Sequence, residues 1–416
     1  MTDNEKTLEG RTLYIPRMSI ESAQMTAAAF QSIGIDARPS PDGDAHTYEL
    51  ARKYTNGDEC LPELVTLGNF LKVTEEPDFD PAKAALLMPT SNGPCRFGQY
   101  KHLIATIFEE TGLQDVYLFS PTSSDGYKSF GQSGTKVVRI VWLAVLIADI
   151  LRKLLLKTRP YEIDAGATDE AFQWALTYVS DVFKRPLGTI AEKKQNLLAA
   201  LIDVRERFRS IKIDATQRKP LVGVVGEIFC RLNRFSNNYL LKKVEEFGGE
   251  AWISDIAEWV WYTNEEERVK LIRTKRRFSK DMLVNKIRGK IMHADEHAFY
   301  HPFQEDFSGY EEPTNTREIL KRSRPYLPAE GSLGEMVLNV GKAIWYYEKG
   351  AAGIIDISPF TCMNGIICEA IYPKLSCDLS GLPIRTFYFD DTQGDLGRDM
   401  EIFMELVKNF HRHRDS

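Results

Sequence analysis

The stretch that decides the fold reads Ala84-Ala85-Leu86-Leu87-Met88-Pro89-Thr90-Ser91-Asn92-Gly93-Pro94-Cys95-Arg96-Phe97-Gly98-Gln99-Tyr100. Its first five residues, Ala84–Met88, have the length and composition of a buried β-strand. A loop containing Gly and Pro follows, and Tyr100–Glu110 then has the apolar spacing of a helix. The stretch therefore predicts a strand, a loop and a helix, with Cys95 just before the helix.

The same order of strand, loop and helix recurs along the chain. Further apolar segments bounded by Gly, Pro and Asp predict strands at Thr12–Ile15, Val116–Ser120, Val222–Val225, Ala251–Ser254, Ile354–Ser358 and Ile384–Phe389. Helical patterns follow several of them, at Met18–Ile33, Leu61–Leu71, Asn237–Phe247 and Asn364–Tyr372. Because alternating strands and helices form parallel sheets covered on both faces, the fold class is α/β.

Two long helical stretches without strand signals, Lys136–Ile211 and Glu265–Arg324, interrupt this alternation. They predict an N-terminal α/β lobe over residues 1–127, a helical insertion over 128–215 and a C-terminal α/β lobe over 216–416. The last of these contains a helical region at about 265–324. Two such lobes predict a site in the cleft between them.

Composition limits the classes of function. A hydrophobic content of 43% and a charged content of 27% are typical of a globular protein, and the net charge of -6 gives no support to nucleic-acid or membrane-surface binding. The basic stretch Arg273–Arg277 is interpreted as a solvated helix face. The apolar run Val137–Leu156 carries charges that would be costly in lipid, so it predicts a buried or dimer-forming helix. The polar, acidic first residues are unlike a secretory signal, so we expect a cytoplasmic protein.

Three of the six cysteines share one context. Cys60, Cys95 and Cys362 each lie just before a predicted helix, and six scattered cysteines do not form a disulfide scaffold. Helix N-termini favour thiolate over thiol and stabilise an anionic group, which suits an iron–sulfur cluster. With three thiolates, a [4Fe-4S] cluster keeps one iron with a non-cysteine ligand. The alternative is that these cysteines are small buried apolar residues.

The other three cysteines fit one cluster less well. Cys368 lies six residues after Cys362, about 240° around a helix, so it should face away from the same cluster. Cys377 follows the predicted helix. Cys230 is placed on a loop after Val222–Val225 that faces the cleft. A double-cubane cluster, which needs more thiolates, is therefore the less favoured alternative.

Polar residues near these segments are candidates for substrate binding. Glu227, Arg231, Asn237 and Asn238 follow a predicted strand, where a helix N-terminus can bind a phosphate or carboxylate. Ordinary loop and N-cap chemistry explains the same residues equally well. Arg96 and Gln99 follow Cys95 within one helical turn and are candidates for contacts with cluster sulfurs or substrate, with packing on the helix as the alternative.

The segments Tyr54–Glu63, Gly93–Tyr100, Gly226–Asn238 and Ser358–Ile371 resemble the superfamily of 2-hydroxyacyl-CoA dehydratases, benzoyl-CoA reductases and double-cubane cluster proteins. The similarity is greatest to CoA-activase-related proteins. It covers most of both predicted α/β lobes and is weakest across the helical insertions. Asn364, where related proteins often have Pro, and Gly397-Arg398-Asp399, where they have an Arg-rich helix start, depart from the superfamily pattern.

This resemblance implies two flavodoxin-like lobes with a cluster held by three cysteines, which match Cys60, Cys95 and Cys362. It also implies a partner ATPase of the actin-like fold that supplies low-potential electrons. The chain has no G-x-x-x-x-G-K-[ST] motif and no recognisable actin-like half, so the ATPase is expected to be a separate chain. A homodimer or heterodimer is a further expectation.

Two classes of function stay open. In the first, the chain is a cluster-bearing enzyme component that reduces or dehydrates a small substrate, expected to be a CoA thioester. In the second, it is an electron-relay or scaffold subunit without a substrate pocket of its own, or a double-cubane cluster reductase.

Overall fold

Eight short strands form two separate four-stranded sheets in the computed structural model, which describes residues 7–90, 93–121, 134–186, 188–214, 216, 218–332, 334–392 and 396–414. The first sheet contains β1 (Thr12–Ile15), β2 (Ala37–Pro39), β3 (Ala84–Leu87) and β4 (Tyr117–Phe119). The second contains β5 (Leu221–Gly226), β6 (Glu250–Ile253), β7 (Gly353–Pro359) and β8 (Ile384–Phe389).

Every strand pair in both sheets is parallel, and the strand order is β2-β1-β3-β4 in the first sheet and β6-β5-β7-β8 in the second. In each sheet the first strand along the chain lies between the second and the third, which is the order of the first four flavodoxin-like strands. The predicted α/β class with two flavodoxin-like parallel sheets is therefore confirmed.

Fifteen helices connect or flank these strands in the part of the chain that the structure describes. They are α1 (Ile20–Gln31), α2 (Ala45–Arg52), α3 (Leu61–Thr74), α4 (Tyr100–Glu110), α5 (Gly134–Thr158), α6 (Ala167–Phe183), α7 (Ile190–Arg209), α8 (Ile228–Leu232), α9 (Leu240–Glu246), α10 (Ile256–Arg273), α11 (Lys280–Tyr300), α12 (Thr316–Ser323), α13 (Met336–Glu348), α14 (Met363–Asp378) and α15 (Leu396–Arg414). The two regions predicted to be helical contain α5 to α7 and most of α10 to α12.

The chain divides into two compact units. The first comprises Met1–Ala148, Gln173–Leu201 and Leu232–Ser236, and the second comprises Asp149–Phe172, Ile202–Arg231 and Asn237–Ser416. The residues of the expected insertion, 128–215, are shared between the units, and part of that range lies outside the described residues.

In the first unit, side chains alternate between the two faces of the sheet. Leu13 and Ile15 pack with Phe30 of α1 on one face, whereas Tyr14 packs with α3 and α4 on the other. Successive residues of a strand point to opposite faces, so even a four-residue strand contributes to two hydrophobic clusters. This packing positions the first residues of α3 and α4, where Cys60 and Cys95 lie.

In the second unit, β5 and β7 approach each other closely where β5 ends. Gly226 has a φ of 128° and lies beside Ile357 of β7, and a Cβ on Gly226 would lie 2.1 Å from the Ile357 carbonyl oxygen. No side chain fits there, so glycine is required both by its dihedral angle and by the space.

Gly226→Ala should destabilise the protein by about 3 kcal/mol or more, because β7 has to move away from β5 to admit the methyl group. Gly350→Ala is the matched control. Gly350 also has a positive φ, of 105°, but its added Cβ would meet no atom within 4 Å, so we expect a cost of only about 1 kcal/mol. Unfolding followed by circular dichroism measures both, and equal losses would contradict the steric argument.

Candidate functional site

Three cysteines occupy the same structural position, the N-cap of a helix. Cys60 precedes α3, Cys95 precedes a short 3-10 helix (Arg96–Gln99) that leads into α4, and Cys362 precedes α14. All three have extended backbone angles, and Pro62 lies in the first turn of α3, as its fixed φ favours. The remaining cysteines lie inside helices, Cys230 in α8 and both Cys368 and Cys377 in α14.

In the first unit, the Cys60 thiol is held by an aromatic hydroxyl. Its Sγ lies 2.6 Å from the Tyr100 hydroxyl oxygen, and both residues are buried. The Arg96 guanidinium donates to the Asp58 carbonyl oxygen at 2.6 Å, and the rings of Phe97 and Tyr100 meet edge to face at 5.2 Å. The segments that carry Cys60 and Cys95 are thus bound to each other at the start of α3 and α4.

The first turn of α3 contains a buried carboxyl group, that of Glu63. Glu63 is 1% exposed, and burial raises its pKa to about 7, although the nearby Gln99 amide and Arg96 guanidinium lower it. This acid was not among the residues predicted from the sequence, because one Glu in the first turn of a helix is ordinary there.

Cys95 differs from Cys60 in being exposed to solvent. Its Sγ accepts a hydrogen bond from the Phe97 amide at 3.5 Å, and Gln99 beside it is also exposed. This thiol is the more accessible of the two in the first unit.

In the second unit, Cys362 lies where β7 passes into α14. The amides of Asn364 and Gly365 hydrogen-bond to its sulfur, as expected at a helix N-terminus. Burial nevertheless raises the pKa of the Cys362 thiol to about 12, and the carboxyl groups of Glu227 and Glu335 add to the rise. The two amides of the helix N-terminus lower the pKa of this thiol, as expected, but in the chain alone they do not outweigh desolvation and the two acids.

Glu227 and Glu335 both bind the start of α8. The Glu227 carboxylate accepts the amides of Phe229 at 3.0 Å and Cys230 at 2.7 Å, and Glu335 accepts the Ile228 amide at 2.8 Å. Burial raises the pKa of both carboxyl groups, that of Glu335 to about 8, with further repulsion from Glu227. Cys230 was expected to lie on a loop. It lies instead inside α8, the helix whose first amides these carboxylates bind, and it is fully buried.

The predicted ligand-binding residues after β5 mostly bind the protein's own backbone. Arg231, which is 3% exposed, donates to the Gly226 carbonyl oxygen at 2.9 Å. Asn237 donates to the carbonyl oxygens of Cys230 at 2.9 Å and Arg231 at 3.1 Å. Asn238 and Tyr239 have positive φ values, so α9 starts only at Leu240, later than predicted. Loop and cap chemistry thus accounts for Arg231 and Asn237.

A further buried acid, Asp356, lies in the middle of β7. It accepts hydrogen bonds from Ser358 at 2.8 Å and from the Tyr372 hydroxyl, and burial raises its pKa. Cys368 lies beside this group, with its Sγ 3.8 Å from the Met336 carbonyl oxygen. Burial and the Asp356 charge raise the pKa of the Cys368 thiol, so this cysteine packs as a protonated core residue.

The predicted ligands are divided between the two units. Cys60, Cys95, Arg96 and Gln99 belong to the first unit, and Cys362, Glu227, Arg231, Asn237 and Asn238 belong to the second. Within the ranges that the structure describes, no three His, Cys, Asp or Glu side chains are grouped so that they could hold a metal ion. Each unit by itself therefore contributes part of the predicted cysteine set.

An open cavity of about 380 Å³ in the first unit lies away from these cysteines. Its lining includes Leu71 and Thr74 at the C-terminal end of α3. Cys60 lies at the N-terminal end of that 14-residue helix, about 20 Å away at 1.5 Å per residue. The cavity is therefore not a pocket for a ligand of Cys60.

No protein-family model matches the chain, and no curated protein is significantly similar to it. No helix in the described ranges has the length and apolar character needed to cross a membrane.

Glu335→Gln should change how stability depends on pH. A carboxyl group whose pKa is about 8 in the folded protein and 4.5 when unfolded stabilises the fold below about pH 4.5, and this contribution is lost as the pH rises through 8. Gln resembles the protonated acid and can still accept the Ile228 amide. We expect near-equal stability at pH 5 and a variant more stable by about 1 kcal/mol or more at pH 9.

Thermal unfolding of both proteins between pH 5 and pH 9 measures this difference. The control is Glu330→Gln, which makes the same chemical change at an exposed carboxyl group. Parallel curves for the parent and Glu335→Gln would contradict the assignment.

Proposed function

We propose that the chain is an iron–sulfur protein in which Cys60, Cys95 and Cys362 hold one [4Fe-4S] cluster. The observation that carries the proposal is that these three cysteines occupy helix N-caps, whereas Cys230, Cys368 and Cys377 lie inside helices. The same three positions match the cysteines that hold the cluster in the superfamily that the sequence resembles.

The chemistry around the sulfur atoms fits such a cluster. Cluster thiolates accept hydrogen bonds, which tune the potential. Here Tyr100 lies within hydrogen-bond distance of Cys60, the Phe97 amide donates to Cys95, and two amides of α14 donate to Cys362. The high pKa of Cys362 is compatible with iron binding, because a coordinating thiol loses its proton to the positive charge of the metal.

A cluster held by three cysteines supplies one-electron transfer and an iron with an open coordination position. The chain's own residues bind and orient it. Cys60 is fixed by Tyr100, and the Cys95 segment is fixed by the bond from Arg96 to Asp58. Cys230 and Cys368 are fully buried inside helices, which favours one cluster over a double cubane.

The substrate class and the partner come from the resemblance. We propose a small CoA thioester as substrate, and a separate ATP-dependent activator of the actin-like fold as the source of low-potential electrons. Arg96, Gln99 and Asn238 are the substrate-binding candidates with solvent access, since Arg231 and Asn237 bind backbone carbonyl groups. Such chemistry belongs to a reducing cytoplasm.

The second candidate is an electron-relay subunit. Two features of the first unit favour it: the exposed Cys95 thiol offers a route for electron exchange, and the 380 Å³ cavity lies at the other end of α3 from Cys60. The substrate would then bind to another chain.

Iron content across single cysteine variants tests the cluster proposal. After anaerobic reconstitution, the parent should bind about four iron and four sulfide ions per chain. Cys60→Ala, Cys95→Ala and Cys362→Ala should each lose most of that iron, because the chain offers no spare thiolate at a helix N-terminus. Cys377→Ala is the matched control, since Cys377 is an exposed helical cysteine and its loss should leave iron unchanged. A parent that binds no iron, or equal loss in the control, would overturn the proposal.

The enzyme and the relay differ in their response to substrate. In an enzyme, adding a 2-hydroxyacyl-CoA thioester to the reduced protein should change its electron paramagnetic resonance spectrum, because the thioester would bind next to the cluster that Cys60, Cys95 and Cys362 would hold. In a relay subunit the spectrum should stay the same. CoA without the acyl group is the control, and a change caused equally by CoA would count against a thioester site.

A further inference from the structure

The turn between α10 and α11 carries an aromatic ring in water. Phe278 is 96% exposed, between Arg277 and Ser279, the N-cap residue of α11. The Arg277 guanidinium lies over this ring at 6.0 Å. Exposing almost all of a Phe side chain to water is unfavourable in free energy. Such a ring at the end of a helical hairpin therefore marks a surface that binds a partner.

Helix α11 continues this apolar surface. Leu283, Val284, Ile287 and Ile291 are 60%, 53%, 49% and 37% exposed, at the spacing of one helix face. The other face of α11 is already covered: Met282 and Met292 are buried, and Asn285 donates to the Asn264 carbonyl oxygen of α10 at 2.9 Å. Phe278 and these four aliphatic residues are called the α11 apolar stripe below.

The stripe lies in the most basic part of an acidic chain. Lys270–Lys290 contains nine Lys and Arg residues and a single acid, Asp281, although the whole chain has a net charge of -6. Asp281 pairs with Arg276, and Arg288 pairs with Glu267 at 2.8 Å. Across the described residues, no ion pair forms at the other cations near the stripe, which are Lys275, Arg277, Lys280, Lys286 and Lys290.

We propose that the α11 apolar stripe and its lysines bind an anionic lipid surface. Phe278, Ile287 and their neighbours would enter the boundary between headgroups and acyl chains, and the lysines would reach the lipid phosphates. Lys290 lies about 60° around α11 from Ile287, so charge and apolar surface face the same plane. The chain then associates peripherally with a membrane, in contrast to the expectation from its net charge.

The unpaired cations distinguish lipid from other partners. Four of the five are lysines, which are depleted in protein–protein interfaces but act as point charges toward anionic headgroups. A two-fold contact between two copies through the stripe would bring Lys286 and Lys290 of one copy toward those of the other. A nucleic acid would use the cations but leave the aliphatic residues in water.

An exposed apolar pair on α15 provides a natural control. Ile402 and Leu406 are 47% and 54% exposed and four residues apart, as Ile287 and Ile291 are. Glu401 and Glu405 lie beside them instead of lysines. This pair matches the stripe in apolar exposure and differs in charge.

Sedimentation of the full chain with vesicles tests the proposal. The vesicles are phosphatidylcholine alone, or phosphatidylcholine with about one third phosphatidylglycerol. We expect binding to the anionic vesicles only, weakened several-fold by about 0.5 M salt. Ile287→Ser/Ile291→Ser and Lys286→Glu/Lys290→Glu should each lower the partition coefficient by about tenfold or more. Ile402→Ser/Leu406→Ser should leave it unchanged.

All these positions are exposed, so the variants should keep the parent's circular dichroism spectrum and unfolding temperature. Failure of the parent to bind anionic vesicles, or loss of binding in the α15 control, would overturn the proposal. So would a concentration-dependent dimer, seen by analytical ultracentrifugation without lipid, that Ile287→Ser/Ile291→Ser abolishes, because the stripe would then be an interface between two copies.

Discussion

The close approach of β5 to β7 at Gly226 is the constraint on which the second unit depends. Because Gly226 has no side chain, the next amide, that of Glu227, donates to the Ile357 carbonyl oxygen at 2.9 Å, and the Gly226 amide donates to Asn339 of α13. Two strands and a helix are thereby joined at one point. Glu227 and the Arg231 guanidinium are held at that junction, and Glu227 is one of the two acids that raise the pKa of Cys362.

Three buried acids surround this junction, and the pKa of each is raised. Glu227, Glu335 and Asp356 lie near one buried guanidinium, that of Arg231, and isolated carboxylates are costly to bury. The amides of α8, Ser358 and Tyr372 stabilise the acids by hydrogen bonds, and burial raises the pKa of each. The same acids oppose a thiolate at Cys362. In the proposed cluster, the iron would therefore have to bring positive charge to this sulfur in order to remove its proton.

Local sequence signals account for most of the fold and for part of the candidate site. Thr12–Ile15 and Ile384–Phe389 have the predicted bounds because turn residues flank a short apolar run. Strand β2, with the sequence Ala37-Arg38-Pro39, was not predicted. It lies at the edge of its sheet, where a strand needs no apolar run and where proline, which has no amide hydrogen to donate, is tolerated. The helix-entry positions of Cys60, Cys95 and Cys362 were also predicted from local residues. The role of Glu335 was not predicted, because the Ile228 amide that it accepts is 107 positions away in sequence and comes near it only in the folded chain.

Two helices show why a hydropathy average is a poor guide to exposed surface. In α5, three of the four charged residues that interrupt the apolar run, Asp149, Arg152 and Lys153, are themselves buried. Asp149 accepts the first amides of α10 at 3.0 Å and 2.9 Å, and Lys153 pairs with Glu312 at 2.6 Å. In α11, aliphatic residues alternate with lysines, so the average is polar although Leu283 and its neighbours face solvent. Helical position decides which side chains reach the surface, and a window average removes that information. Composition therefore does not reveal the α11 apolar stripe. The stripe is identified only from the exposed fraction of each side chain in the structure.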